Sequence, residues 1–295
     1  MREPGSTCIA CGGPTQLRFG PRTRGGGVAA EELRCTSPYL GEHGEIWACS
    51  GCGLAFQTGD VDTSAYADVE DPEYLRETDR RRDEFRRLLA AVEQHRRPPG
   101  RLLEIGSFAG LCLDEARHRG WDAIGVEPSR WAAAHARTAY GIEVVEGTIA
   151  DAPDGPYDAV VSWDVLEHLE DPLGDLRRAR ELAADGTVLG LTTVNIAGRA
   201  ARVLRGRWPW LMRMHLWYFT PASLRLLLRA ANWEPLDVRT HPKRLSVGYV
   251  LERSERYVGR LGRVARTGAQ RMRLADRVVS IDWGDVILAL GRATT

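Results

Sequence analysis

Arg101-Leu102-Leu103-Glu104-Ile105-Gly106-Ser107-Phe108-Ala109-Gly110 decides the architecture. Its first half is a short apolar run that reads as a strand, and its second half is a glycine-bearing turn. A helical pattern follows over 111–119. Working outward, strands are expected at 123–127, 143–146, 157–162 and 187–192, with helices at 130–140 and 172–182. Strand and helix alternating at this spacing argue for a mostly parallel sheet with helices on both faces. Such sheets bind ligands at the carboxyl ends of their strands, so the chemistry is sought there.

The flanks differ. Residues 1–58 are rich in Gly and Pro and hold five of the six cysteines. Residues 59–99 are densely charged, with a helix expected around 79–89 and stopped by Pro98-Pro99. Residues 196–295 contain an Arg/Trp-rich stretch, a helix capped by Thr220 with Pro221 after it, a strand, a basic helix and a final strand. The domains expected are therefore 1–58, a helical linker 59–99, and 100–295, the last including a lid at 196–220 and a basic helical insertion at 246–277.

The 295 residues, 43% hydrophobic and 27% charged, exclude wholesale disorder. No apolar run is long enough for a spanning helix, and the start has no signal-peptide apolar region, which predicts a cytoplasmic chain. Lys243 is the only lysine beside 39 arginines, which reads as codon bias. The net charge of zero hides a division: residues 1–195 hold 21 basic and 33 acidic side chains, residues 196–295 hold 19 and 7. The two halves either neutralise each other or leave the C-terminal side open to an anionic partner.

Cys8-Ile9-Ala10-Cys11-Gly12 and Cys49-Ser50-Gly51-Cys52-Gly53 are two Cys-x2-Cys-Gly knuckles. Four thiolates so placed can close a tetrahedral sphere, the pattern of a structural zinc. A redox pair is the competing view. Cys35 and His43 are expected to be non-ligands, and Cys112 to be packing.

The 104–110 turn lacks G-x-G-x-x-G, because Phe108 and Leu111 stand at the second and third glycine positions. Glu104 at the strand end would repel a pyrophosphate and attract a cation. Glu127, ending Gly125-Val126-Glu127-Pro128-Ser129, can accept from both hydroxyls of a ribose.

On these motifs the chain, from about Leu102 onward, resembles the class I S-adenosylmethionine-dependent methyltransferases. The likeness extends to Val145-Glu146-Gly147-Thr148-Ile149, to Tyr157 through Asp164-Val165-Leu166-Glu167-His168, and to Ala184-Asp185-Gly186-Thr187. It implies a Rossmann-like, seven-stranded, mostly parallel sheet. It also implies a donor site of Glu104, Gly106, Ser107, Gly110, Glu127, Thr148, Ile149 and Asp164. Gly106 and Gly110 would line the methionine portion, and Thr148 and Ile149 the adenine. Phe108 departs from the family's middle glycine, and Thr148 stands where an acid is common.

A zinc ribbon joined to such a domain resembles enzymes that tailor sugars, glycans or secondary metabolites, and also ribosomal RNA base methyltransferases. The acidic first 195 residues disfavour RNA. Met214-His215-Leu216-Trp217-Tyr218-Phe219-Thr220-Pro221 and Ile281-Asp282-Trp283-Gly284-Asp285-Val286 resemble the first group. A small-molecule or saccharide acceptor is therefore expected, one carrying phosphate or carboxylate if the basic half receives it. An RNA base methyltransferase and a non-catalytic donor-binding module are the rivals.

His168 and His215 are the candidate bases, and Asp164 would orient acceptor or donor. The alternatives are capping or packing on the helix near Pro172 for His168, packing with the aromatic run for His215, and a structural hydrogen bond for Asp164. Glu167 and Glu170 read as solvated. Arg199, Arg202, Arg205, Arg207 and Arg213 interleave with Trp208, Trp210 and Trp217, which suggests a lid over the acceptor. Arg253, Arg256, Arg260 and Arg263 share one helical face opposite Val250, Tyr257, Val258, Leu261 and Val264. That face is a solvated stripe, a peripheral membrane contact or one wall of an anionic site.

Overall fold

A computed structural model describes residues 3–23, 28, 30–37, 39–59, 61–248, 251, 259–272, 274 and 277–294. Strands β1 (Thr15–Phe19), β2 (Ile46–Cys49) and β3 (Ala55–Gln57) form an antiparallel meander. Helix α1 (Thr78–Glu93) follows, with Leu88, Leu89, Ala91 and Val92 buried. Its charged face is clamped to the next helix. Arg82 Nη2 donates to Asp114 at 2.6 Å and Nη1 to Glu115 at 2.9 Å, while Arg86 makes two bonds to Glu115 at 3.0 Å. Networks of this kind, with half the groups buried, hold better than lone exposed pairs.

The central block alternates as the apolar pattern requires: β4 (Arg101–Ile105), α2 (Leu111–His118), β5 (Asp122–Glu127), α3 (Arg130–Tyr140), β6 (Val144–Glu146), β7 (Tyr157–Trp163), α4 (Pro172–Glu181) and β8 (Ala183–Val194). Beyond it come α5 (Arg199–Leu204), β9 (Trp217–Tyr218), α6 (Pro221–Ala230), β10 (Trp233–Thr240), β11 (Lys243–Ser246), α7 (Arg260–Arg271), β12 (Val278–Ile281) and β13 (Val286–Ala293). The main sheet has the order β10-β13-β8-β7-β4-β5-β6. Neighbours from β8 to β6 are parallel, and β13 is antiparallel to both β8 and β10. This is the seven-stranded, Rossmann-like sheet expected. Thr220 caps α6 with a capping box to Ser223, and Pro221 starts the helix.

The N-terminal meander is not self-contained. Its fourth strand is β9, with Ala55 opposite Tyr218 and Phe56 opposite Trp217. Thr220 Oγ1 also donates to the Cys52 carbonyl at 2.9 Å. Residues 1–58 therefore share a sheet with the C-terminal half.

Helix α7 lies within the basic stretch expected over 246–277. Arg253, Arg256, Val250, Tyr257 and Val258 lie outside the described residues. Val264, on the face opposite the arginines, is exposed. Among the described residues no helix is long and apolar enough to cross a membrane.

Candidate active site

A cavity of about 1670 Å³ opens at the carboxyl ends of β4, β5, β7 and β8. One small ligand commonly takes ~300–1,000 Å³, so donor and acceptor both have room. Its wall includes Glu104, Gly106, Ser107, Glu127, Thr148, Ile149, Asp164, His168 and His215, every sequence-predicted donor or catalytic residue except Gly110.

The loop after β4 passes close behind Val165. Gly106 has φ +71°, and a Cβ there would lie 2.5 Å from a Val165 methyl. Phe108 also lies in the left-handed region, at φ 43°. Two things hold it there. Its ring meets Tyr74 edge-on at 4.6 Å, and its N–H donates to Glu127 Oε2 at 2.7 Å. Ser129 N–H donates to Glu127 Oε1 at 2.8 Å. Burial pushes the Glu127 carboxyl up to about 7 against the pull of these two amides. One carboxylate thus ties together both donor-site loops.

Glu104 is 2% exposed, and burial, with the Glu127 charge adding, raises its carboxyl well above the usual range. Glu104 Oε2 and Ser107 Oγ are buried without a hydrogen-bond partner. Such atoms are costly unless a ligand completes them. A cationic, hydrogen-bonding ligand fits here, so these residues suit S-adenosylmethionine. Replacing Glu127 with Ala is expected to weaken S-adenosylhomocysteine binding roughly ten- to a hundredfold, ~1.5–3 kcal/mol. Calorimetry showing unchanged affinity would remove Glu127 from the donor site.

Gly110 requires a correction. It does not line the cavity but begins α2 at φ +79°, where a Cβ would lie 2.6 Å from Ala136 Cβ on α3. Its role is the close crossing of two helices. Gly110→Ala should cost about 2–4 kcal/mol from left-handed strain plus overpacking. A urea midpoint that does not move would mean α3 gives way freely.

On the same cavity wall, Asp164 (φ 55°) follows β7 with its side chain half exposed. Thr192 Oγ1 donates to its Oδ1 at 2.8 Å and Lys243 Nζ to its Oδ2 at 2.9 Å. Burial alone would raise this carboxyl, but Lys243 holds it below its ordinary value. Lys243, which reads in the sequence as codon bias, reaches this pocket from β11. No local motif announces it.

Glu167 is likewise corrected. It is 1% exposed, accepts from Thr193 Oγ1 at 2.8 Å, and is pushed up to about 8 by burial and by Asp164. Leu216 N–H donates to the Glu167 carbonyl at 2.7 Å, and Glu167 stands on the cavity wall. Glu170, by contrast, is exposed as expected, and accepts from Thr63 Oγ1.

His168 and His215 meet with ring centroids 4.8 Å apart. His168 Nδ1 lies 3.0 Å from the Met214 carbonyl and 2.9 Å from Tyr66 Oη; His215 Nδ1 lies 2.8 Å from the Trp210 carbonyl. A carbonyl only accepts, so His215 carries its proton on Nδ1 and keeps the lone pair on Nε2; His168 Nδ1 faces both a carbonyl and the Tyr66 hydroxyl. Burial lowers His168 to about 4 and His215 to about 3, leaving both neutral. Helix α4 is capped by Asp171, not by His168.

The Arg/Trp segment is a wall more than a lid. Arg199, Ala200, Val203, Leu204, Pro209 and Trp210 line the cavity, whereas Arg202, Arg205, Arg207 and Arg213 do not. Trp208 is fully buried and donates to Asp285 at 3.1 Å; Trp217 is buried and donates to the Leu169 carbonyl at 2.8 Å. Arg213 pairs with Glu32 at 3.3 Å. Among the described residues the wall carries twelve acidic side chains and five of Lys or Arg, a poor match for an anionic acceptor.

The four cysteines converge away from this cavity. Cys8 and Cys52 sulfurs are 3.5 Å apart, Cys11 and Cys49 3.4 Å, and all four lie within 4.8 Å of one another. Zinc with ~2.3 Å bonds places its sulfurs ~3.8 Å apart, so the donor set could hold it. Gly12 and Gly53 at φ +70° and +75° make the knuckle turns. His43 is turned to the Gly44 and Gly206 carbonyls, Cys35 lines the cavity, and Cys112 is buried beneath Trp163.

Residues 75–238 match the methyltransferase domain family, over half of the chain. The chain belongs to that family. It is 30% identical over 151 residues to a ubiquinone biosynthesis O-methyltransferase of Cereibacter sphaeroides, covering 46% of this chain and 61% of that one. The corresponding enzyme of Azorhizobium caulinodans is 32% identical over 153 residues, covering 45% and 58%. The chain thus spans about three-fifths of the length of these curated relatives. Among solved structures it resembles a chain from the complex of the Haloferax volcanii Trm112 methyltransferase activator with a methyltransferase. That match has TM-score 0.58 and 16% identity, and covers 81% of this chain and all of that one. This likeness supports the fold alone.

Proposed function

We propose that this protein transfers a methyl group from S-adenosylmethionine to a hydroxyl oxygen of a small acceptor with a largely apolar body. The donor, when bound, supplies a methyl group on a positively charged sulfur. The observation that carries the choice of oxygen is the pair of neutral imidazoles, His168 and His215, whose rings meet at 4.8 Å on the cavity wall. A hydroxyl must shed its proton to become a nucleophile, and those rings are the groups placed to accept or replace it. The relatives' O-methyltransferase names point the same way. Leu33, Leu40, Tyr66, Met212, Met214 and Trp210 give the acceptor side an apolar lining. The donor set of Cys8, Cys11, Cys49 and Cys52 is assigned to a structural zinc.

The chain's own part is alignment. Glu127 and the loop after β4 position the donor, and the wall of α5 and Trp210 shuts out water. Holding reactants in line is worth ~7–11 kcal/mol, and proton removal adds ~10²–10⁴-fold. The test is transfer of labelled methyl to a panel of phenols, catechols, neutral sugars, carboxylated sugars and ribosomal RNA fragments. Incorporation into phenolic or sugar oxygens is expected. Label in RNA bases alone, or donor binding with no label on any acceptor, would overturn the proposal.

A further inference from the structure

Glu167, His168 and His215 form a second group with the composition of a metal site. One ligand atom from each lies within 4.8 Å of the other two, and no motif brings them together: two follow β7, and the third precedes β9. We propose that these three side chains bind a divalent first-row cation in the floor of the acceptor cavity, where it holds the acceptor hydroxyl.

Three observations carry this. The donor types are right, since two imidazoles and one carboxylate form a three-sided set that leaves positions open for a further ligand. The outer contacts are those that metal ligands need. His215 Nδ1 is held by the Trp210 carbonyl and His168 Nδ1 by the Met214 carbonyl and Tyr66 Oη, while Thr193 Oγ1 steadies Glu167 Oε2 at 2.8 Å. The two segments are also locked together, because Leu216 N–H donates to the Glu167 carbonyl at 2.7 Å. Three atoms sharing one ion at ~2.1 Å in an open three-sided set stand ~3.0–3.4 Å apart, so a group spread to the full 4.8 Å draws in by roughly 1.5 Å on binding.

The cation's role rests on the methyl-transfer reading; its ligands do not. A bound cation lowers the pKa of a coordinated hydroxyl. The O–H bond breaks, the oxygen stays on the cation as an oxyanion, and the proton leaves to water. The imidazoles then act as ligands, and the acceptor oxygen is fixed in place.

The test uses full-length protein whose cysteine site has been filled with zinc. Mn²⁺, which thiolates disfavour, is titrated without donor or acceptor and followed by loss of the free-ion paramagnetic signal. One Mn²⁺ per chain is expected, with at least tenfold weaker uptake in His215→Ala and in Glu167→Gln. S-adenosylhomocysteine affinity, measured on the same variants, should hold and so report folding. No uptake, or uptake that both variants leave unchanged, overturns the site. Full turnover of an identified acceptor in chelator overturns the cation's role and leaves the methyl-transfer reading intact. Uptake as expected with no turnover on any acceptor supports the site and counts against that reading instead.

Discussion

Protein purified without chelator is expected to carry one tightly held zinc per chain at the four cysteines, and Cys49→Ala should fail to fold normally. A structural zinc contributes an apparent ~10–16 kcal/mol at neutral pH, comparable with the whole ~5–15 kcal/mol stability of a domain. Cys8, Cys49 and Cys52 are packed in one cluster with Leu216, Trp217 and Phe219. Loss of the metal should therefore reach past the N-terminal meander to the segment bearing His215. Elemental analysis, far-ultraviolet dichroism and a melting curve check this. Metal-free protein with four titratable thiols and an unchanged melting temperature would refute the zinc assignment.

The second large effect concerns the paired imidazoles. Replacing His168 and His215 together with Ala is expected to lower kcat about 10²–10⁴-fold on a hydroxyl acceptor. Donor affinity should stay near that of the parent, because the rings bond to Tyr66, Met214 and Trp210 and not to the loops held by Glu127. Residual transfer should persist, since alignment supplies the larger share of catalysis. A variant retaining more than a tenth of parental kcat would show that the acceptor loses its proton elsewhere.

Much of the donor half was legible because its determinants are local. The run Leu102-Leu103 with Gly106, the Glu127 strand end and the 130–140 helix each carry their pattern within a dozen residues. Glu167 reads as solvated because nothing near it in sequence shows that Thr193 and Leu216 hydrogen-bond to it. Lys243 meets Asp164 from 79 residues away. Gly110 stood in a ligand-binding motif, yet the contact that requires it is Ala136 on another helix. Trp208 and Trp217 looked available for stacking on an acceptor, but their indole N–H groups are used inside the protein.

Synthesis proceeds from the amino end, so the pairing of β3 with β9 imposes a waiting time. Ala55 finds Tyr218 only after 163 further residues have been added, about 8–30 s at ~5–20 residues per second. Until then one edge of β3 is open, with Phe56 uncovered beside it, and unpaired edges invite the wrong neighbour. The nascent chain should be most prone to association, or to capture by a chaperone, when between about 60 and 250 residues have been made. Stalled chains of graded length, probed by protease, should become resistant only once β9 has left the exit tunnel.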